Sequence, residues 1–148
     1  MFKKLLSGLK KKGSSKSRIV IDSNAPIGAN GILTETFGIR IYDGSIAPFA
    51  RAGDGYPATG SYSFSTDEDF QDQITLEFHR SSDFIASTES FIGQVRIRGY
   101  KLEGAREPLV RLHYEIANHQ IVIWVTNEKD NGELSLSVIK NTEGQSVH

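Results

Sequence analysis

Four histidines, His79, His113, His119 and His148, are the residues to weigh first for chemistry, because imidazole binds metals and moves protons near neutral pH. None lies four residues from another, the spacing that places two ligands on one helix face. By strand parity His79 and His113 point outward, so exposed surface histidines are expected and a metal site is not. Asp67, Glu68, Asp69 and Asp72 form an acidic knot. It lacks the glycine and closing glutamate of a calcium loop, and is expected to be a solvated turn. Serines cluster in GSYSFS and SSDF without the strained elbow that exposes a nucleophile. There is no cysteine, which excludes disulfides, thiolate zinc sites and thiol nucleophiles. Neither a G-x-x-x-x-G-K-[ST] loop nor a strand-linked G-x-G-x-x-G is present, so nucleotide binding has no local support. No candidate acid or base has an evident partner. The expectation is a non-enzyme with no cofactor.

Charge is distributed unevenly. Seven of the 17 Lys and Arg residues fall within Met1 to Arg18, with no acid among them. Ten cations then face all 18 acids in the rest of the chain. Phe2, Leu5, Leu6 and Leu9 recur at helical spacing among Lys3, Lys4, Lys10, Lys11 and Lys12. That leader is read as an amphipathic arm that contacts an anionic membrane or another acidic surface weakly. Gly13 to Ser17 follows as a flexible linker. The arm resembles no cleavable signal, and no apolar run reaches a membrane span. A cytoplasmic protein, at most peripheral to a membrane, is expected. Arg96, Arg98 and Arg111 would form a strip near Tyr100, read as outward charges on a solvated sheet. The acidic body argues against nucleic acid there.

What positions these residues is a period of two. It begins near Arg18 with Ile19 and Ile21. It continues through Phe37-Ile39-Ile41, Tyr62-Phe64, Ile74-Leu76-Phe78, Val95-Ile97, Val110-Leu112-Tyr114-Ile116, Ile121-Ile123-Val125 and Leu134-Leu136-Val138. Asp43-Gly44 signals a two-residue hairpin turn. Pro48 sends its strand to a sheet edge or a bulge. Val122 and Trp124 alternate with the isoleucines of their strand, so that strand is expected to be buried on both faces. Ser81 to Ser90 reads as a loop or distorted edge. About eight short strands, with no convincing helix after the leader, predict an all-β antiparallel sandwich over residues 18–140. Residues 1–17 form the leader and linker, and 141–148 a disordered tail.

One stretch carries more than periodicity. In YPATGSYSFSTDEDFQDQITLEFHRS, Pro57, Phe64-Ser65-Thr66, Glu68-Asp69, Gln71 and the strand Ile74 to Phe78 follow one another in order. FIGQVRIRGY and then PLVRLHYEIANHQIVIWVTNEKDNGE come after it. This order resembles the substrate-binding β-domain of the DnaK-type heat-shock chaperones, from about Phe37 to Val138. In that family an extended peptide threads a channel between loops at one end of a sandwich. One apolar side chain of the peptide enters a pocket, and backbone hydrogen bonds hold the rest. The resemblance implies a pocket of Ile39, Phe64, Ile74, Leu76, Phe78 and Ile116, with Ser65 beside it. The arch over the peptide would fall to Tyr42 and Asp67, where the family has small or flexible apolar side chains. Ala117-Asn118-His119-Gln120 replaces the family's Asp-x-Asp-Gly turn, and Asn118 tolerates the left-handed backbone such a turn requires.

The expected protein is thus a β-domain standing without its ATPase or helical lid, binding unfolded or extended polypeptide segments independently of ATP as a holder or adaptor. An ATPase chaperone acting in trans is a possible partner. The alternative is a scaffold that keeps the sandwich and has lost the channel.

Overall fold

The computed structural model describes residues 18–65, 71–100 and 109–141. The leader 1–17, Asp67 and the tail beyond 141 lie outside the described residues. Nine strands appear: β1 (Ile19–Asp22), β2 (Thr36–Arg40), β3 (Ile46–Ala50), β4 (Ala58–Phe64), β5 (Ile74–Ser81), β6 (Phe91–Arg98), β7 (Val110–Ala117), β8 (Gln120–Asn127) and β9 (Ser135–Asn141). No helix occurs among the described residues. The strands form two antiparallel sheets ordered β1-β8-β7-β4 and β3-β2-β5-β6-β9. The all-β sandwich is as expected.

Alternation builds the core. Val110, Leu112, Tyr114 and Ile116 of β7 are buried while Arg111, His113 and Glu115 between them are not. Ile74, Leu76 and Phe78 of β5 face them from the opposite sheet with Val95 and Ile97 of β6. Each such side chain contributes about 1.5–3 kcal/mol when fully removed from water. At the centre Phe37 and Phe78 stack at 5.6 Å, and Phe49 meets Phe37 edge-on at 5.6 Å. Phe49 exists as a core residue because β3 bulges. Phe37 pairs with Ala50 and Gly38 with Pro48, leaving Phe49 as the extra residue. Its carbonyl accepts from the buried Tyr114 hydroxyl at 2.9 Å, a bond that ties one sheet to the other. Burial raises the Tyr114 pKa above its usual 10.0, and Tyr62 and Asp54 add to it.

Several local features differ from expectation. The β2–β3 connection is a three-residue loop. Ile41 N–H donates to Ser45 O, Gly44 N–H donates to Ile41 O, and Gly44 takes φ 85°. Asp-Gly serves this turn as well as the two-residue one, since both need a residue at positive φ. The β7–β8 turn does close in two residues, with Asn118 at φ 53° and His119 at φ 62°. Pro48 sits on an edge strand, as anticipated. The outer side of β8 is only half-buried. Trp124 is covered by the Arg18 guanidinium, 3.6 Å from its ring centroid, and by His113 stacked at 5.3 Å. An ion-pair clamp closes the β1 corner, where Arg80 meets Asp22 at 2.8 Å and Glu35 at 3.0 Å.

Candidate functional site

Register decides which predicted residues share an end of the sandwich. Phe64, the last residue of β4, pairs with Val110, the first of β7. Ile74, the first of β5, pairs with Ile97 near the end of β6. β2, β4 and β6 end, and β3, β5 and β7 begin, at this same end. Ile74, Leu76 and Phe78 descend from it into the core, and Ile39 sits level with Phe78. Ile39, Phe64, Ile74, Leu76 and Phe78 are therefore brought together along one line from the loops inward. Phe49 continues that line, 6.4 Å from Phe64 ring to ring.

Ile116 does not belong with them. It pairs with Ala58, six residues before Phe64 on β4, which places it about 20 Å away at the opposite end. Its parity was read correctly and its depth along the strand was not. Val110, fully buried and directly across from Phe64, occupies that place instead. The pairing of β4 with β7, which side-chain alternation does not reveal, is what sets the start of β7 opposite Phe64.

The end is closed by two further buried residues. Leu109 N–H donates to Phe64 O at 2.9 Å. Tyr100 donates its hydroxyl to Gln71 O at 2.6 Å. Burial, with Asp72 adding to it, raises the Tyr100 pKa above its usual 10.0. Ser65 is exposed next to Phe64. Tyr42 is 99% exposed on the 41–45 turn, so its ring covers nothing among the described residues. Asp43 behind it accepts from Ser45 N–H at 2.9 Å and Ser45 Oγ at 2.6 Å, which fixes the turn and holds the Asp43 carboxyl below its usual pKa.

His79 is the largest departure among the titratable residues. It occupies an outward strand position as expected, yet it is only 2% exposed. The segment after Ser81 folds back over it and brings Ser90 Oγ to Nδ1 at 2.7 Å, while Glu77 of the same strand meets Nε2 through Oε1 at 2.7 Å. Ser90 is itself held by Ser87, so its hydroxyl is an anchor within a turn. A cleft of about 380 Å³ beside it is lined by Arg40, Glu77, Ser87, Thr88, Phe91 and Lys140. His113 lies half-buried on the other sheet's outer face. Burial, then Arg111 and Arg18, pushes its pKa below the usual 6.5, against a smaller opposing pull from Glu128. The expected strip of Arg96, Arg98 and Arg111 is not formed. Arg96 and Arg98 are on β6, whereas Arg111 is on β7 in the other sheet, bonded to Glu128 at 3.0 Å. Tyr100 is buried. Among the described residues no three His, Asp or Glu side chains gather as metal ligands would.

No protein-family model matches the chain. The chain is similar to chaperone protein DnaK of Mycoplasmopsis agalactiae, 25% identical over 107 residues. The match covers 72% of this chain and 18% of that protein, so the chain spans less than a fifth of that relative's length. This likeness and the two-sheet all-β fold are together compatible with a DnaK-like substrate-binding domain.

Proposed function

We propose that the protein binds extended apolar polypeptide segments at the loop-bearing end of its sandwich, without catalysis and without ATP, as a chaperone-like holder or adaptor. The observation that carries this reading is the convergence of Ile39, Phe64, Ile74 and Leu76, with Val110 in place of Ile116, beneath the turn that presents Tyr42. A pocket of that make-up gives an apolar side chain its preference, while main-chain hydrogen bonds hold any extended backbone. The likeness to DnaK supports the same reading. An ATPase chaperone acting in trans remains a partner consistent with it. Fluorescence anisotropy of a labelled leucine-rich heptapeptide tests it. Saturable binding, weakened several-fold by Tyr42→Ser and abolished by Ile74→Glu, is expected. Tyr42 is fully exposed, so its replacement leaves the fold intact even if Ile74→Glu does not. Absence of saturation up to millimolar peptide rejects the proposal.

A scaffold role is the second reading. It is favoured by the burial of Ile39, Ile74 and Val110 in the common core, and by described clefts lined with other, mostly polar residues. Co-purification of one stoichiometric partner that competing heptapeptide does not displace would select it. The basic leader is proposed to add a weak contact with an anionic membrane. No described helix is long and apolar enough to cross a membrane. Equal pelleting with anionic liposomes of forms with and without residues 1–17 removes the membrane contact.

A further inference from the structure

The sandwich treats its sheet edges unequally. On the outer side of β3, Ile46 N–H donates to Phe84 O, Ser45 bridges Ile85, and Pro48 has no N–H to offer. β1 has four residues and a register shift. β4 leans on β3, with the Tyr62 hydroxyl on Pro48 O at 3.0 Å. β9 runs for seven residues, pairs with β6, and among the described residues has no strand hydrogen-bonded along its other edge. Such an edge is a template for another strand.

The chemistry beside that edge is selective. Two residues of β9, Ser135 and Ser137, pair with Arg98 and Arg96 of β6, and Lys140 pairs with Gln94. The serines are too short to screen the arginines from whatever lies beyond. Arg96 has a buried Nε without a hydrogen-bond partner, and no ion pair to it occurs among the described residues. Lys140 Nζ lies 5.6 Å from the Phe91 ring, and no ion pair to it occurs among the described residues. Among the described residues Arg98 bonds the neutral Gln73 amide oxygen and forms no ion pair. Glu77 is the one acid on the outward strand positions of this face, and it is occupied by His79. A cationic row thus borders an open edge on a body whose other charges are mainly acidic.

We infer that the β9 edge accepts an extended acidic polypeptide segment as a tenth strand, with alternate Asp or Glu side chains passing over Ser135 and Ser137 to Arg98 and Arg96. The next strand position lies about 4.8 Å beyond β9 and about 9.6 Å from β6. An arginine lying across a serine and a glutamate reaching back close that gap. The apolar side chains of the added strand extend the half-buried row of Leu136 and Val138. The Arg98–Ser135 end of this site lies beside the pocket end, but Arg96, Arg98 and β9 are not among the pocket residues, so variants at Arg96 and Arg98 test this edge separately from peptide binding there.

The test uses the full chain and two labelled, acetylated heptapeptides, one alternating Glu with Val and one alternating Lys with Val. The acidic peptide is expected to bind saturably, at least tenfold more tightly than the basic one, with affinity falling as salt rises. Hydrogen exchange should show new protection on β9 amides. Arg96→Glu with Arg98→Glu should invert the preference. Arg98→Glu alone, at an exposed position, should reduce acidic-peptide affinity several-fold without touching the fold. Equal affinity for both peptides, no binding at millimolar concentration, or protection away from β9 overturns the inference. So does a peptide-free dimer in sedimentation that the acidic peptide fails to dissociate, because the edge then belongs to a second copy.

Discussion

Removing one oxygen from Tyr114 should cost far more than an ordinary surface change, for a reason specific to the β3 bulge. Phe49 is the unpaired bulge residue, and its carbonyl is bonded at 2.9 Å by Tyr114 Oη across the sandwich. Tyr114→Phe keeps the ring, which stacks on Phe49 at 5.8 Å and meets Phe37 edge-on at 5.9 Å. It leaves the carbonyl buried without a partner. An orphaned buried acceptor costs about 1–3 kcal/mol. For a domain of this length that lowers Tm by roughly 2–4 °C per kcal/mol, so a drop of about 2–12 °C is expected. Gly60 adds a cross-check. A Cβ there would come within 2.8 Å of Tyr114 Cε1 and Oη, so Gly60→Ala strains the same ring. Deleting the hydroxyl removes one of the two clashing atoms. The double variant should be less destabilised than the sum of the singles by about 0.5 kcal/mol or more. Urea unfolding followed by circular dichroism reads all three, with an unchanged m-value. A Tyr114→Phe cost below about 0.5 kcal/mol, or strict additivity with Gly60→Ala, refutes the reasoning.

Other consequences are more local. Phe37→Ala removes the fully buried centre of the aromatic cluster and should destabilise by about 3–5 kcal/mol in the same urea assay. His119→Gly should stabilise by up to about 1 kcal/mol, because His119 sits at φ 62° where a side chain is strained, and thermal melts will read it. His113 takes up a proton less readily folded than unfolded. Stability is thus complete above about pH 6.5 and declines as pH falls below it toward the depressed value, and His113→Gln should flatten that decline. Trp124, stacked on His113, provides the fluorescence signal for that titration. Arg80→Met should cost about 1–3 kcal/mol by leaving Asp22 and Glu35 without their shared cation, and the loss should appear in chemical denaturation.

Side-chain alternation made the sandwich legible because burying one face of a strand forces a period of two. The same signal is silent about position along a strand. Ile116 satisfies it as well as Val110 does, yet only Val110 lies opposite Phe64. It is equally silent about which sheet a strand joins, which is why Arg111 was grouped with Arg96 and Arg98 and lies apart from them. Parity also assumes that an outward face meets water. The His79 ring is covered because the segment after Ser81 folds over it and brings Ser90 to Nδ1, and loop placement has no periodicity to read. The Asn118-His119 turn was legible from chemistry, since asparagine tolerates positive φ. Phe49 was hidden because a bulge inserts one residue without altering composition.

The most direct test of the pocket end is photo-crosslinking of an apolar heptapeptide carrying a central photoreactive leucine analogue, followed by mass-spectrometric mapping. Labelling should concentrate on residues flanking the 41–45 turn and the end of β4, near Tyr42 and Phe64, and should be displaced by unlabelled peptide. Labelling at the far end near Ala58 and Ile116, or none above that of a polar control peptide, contradicts the account.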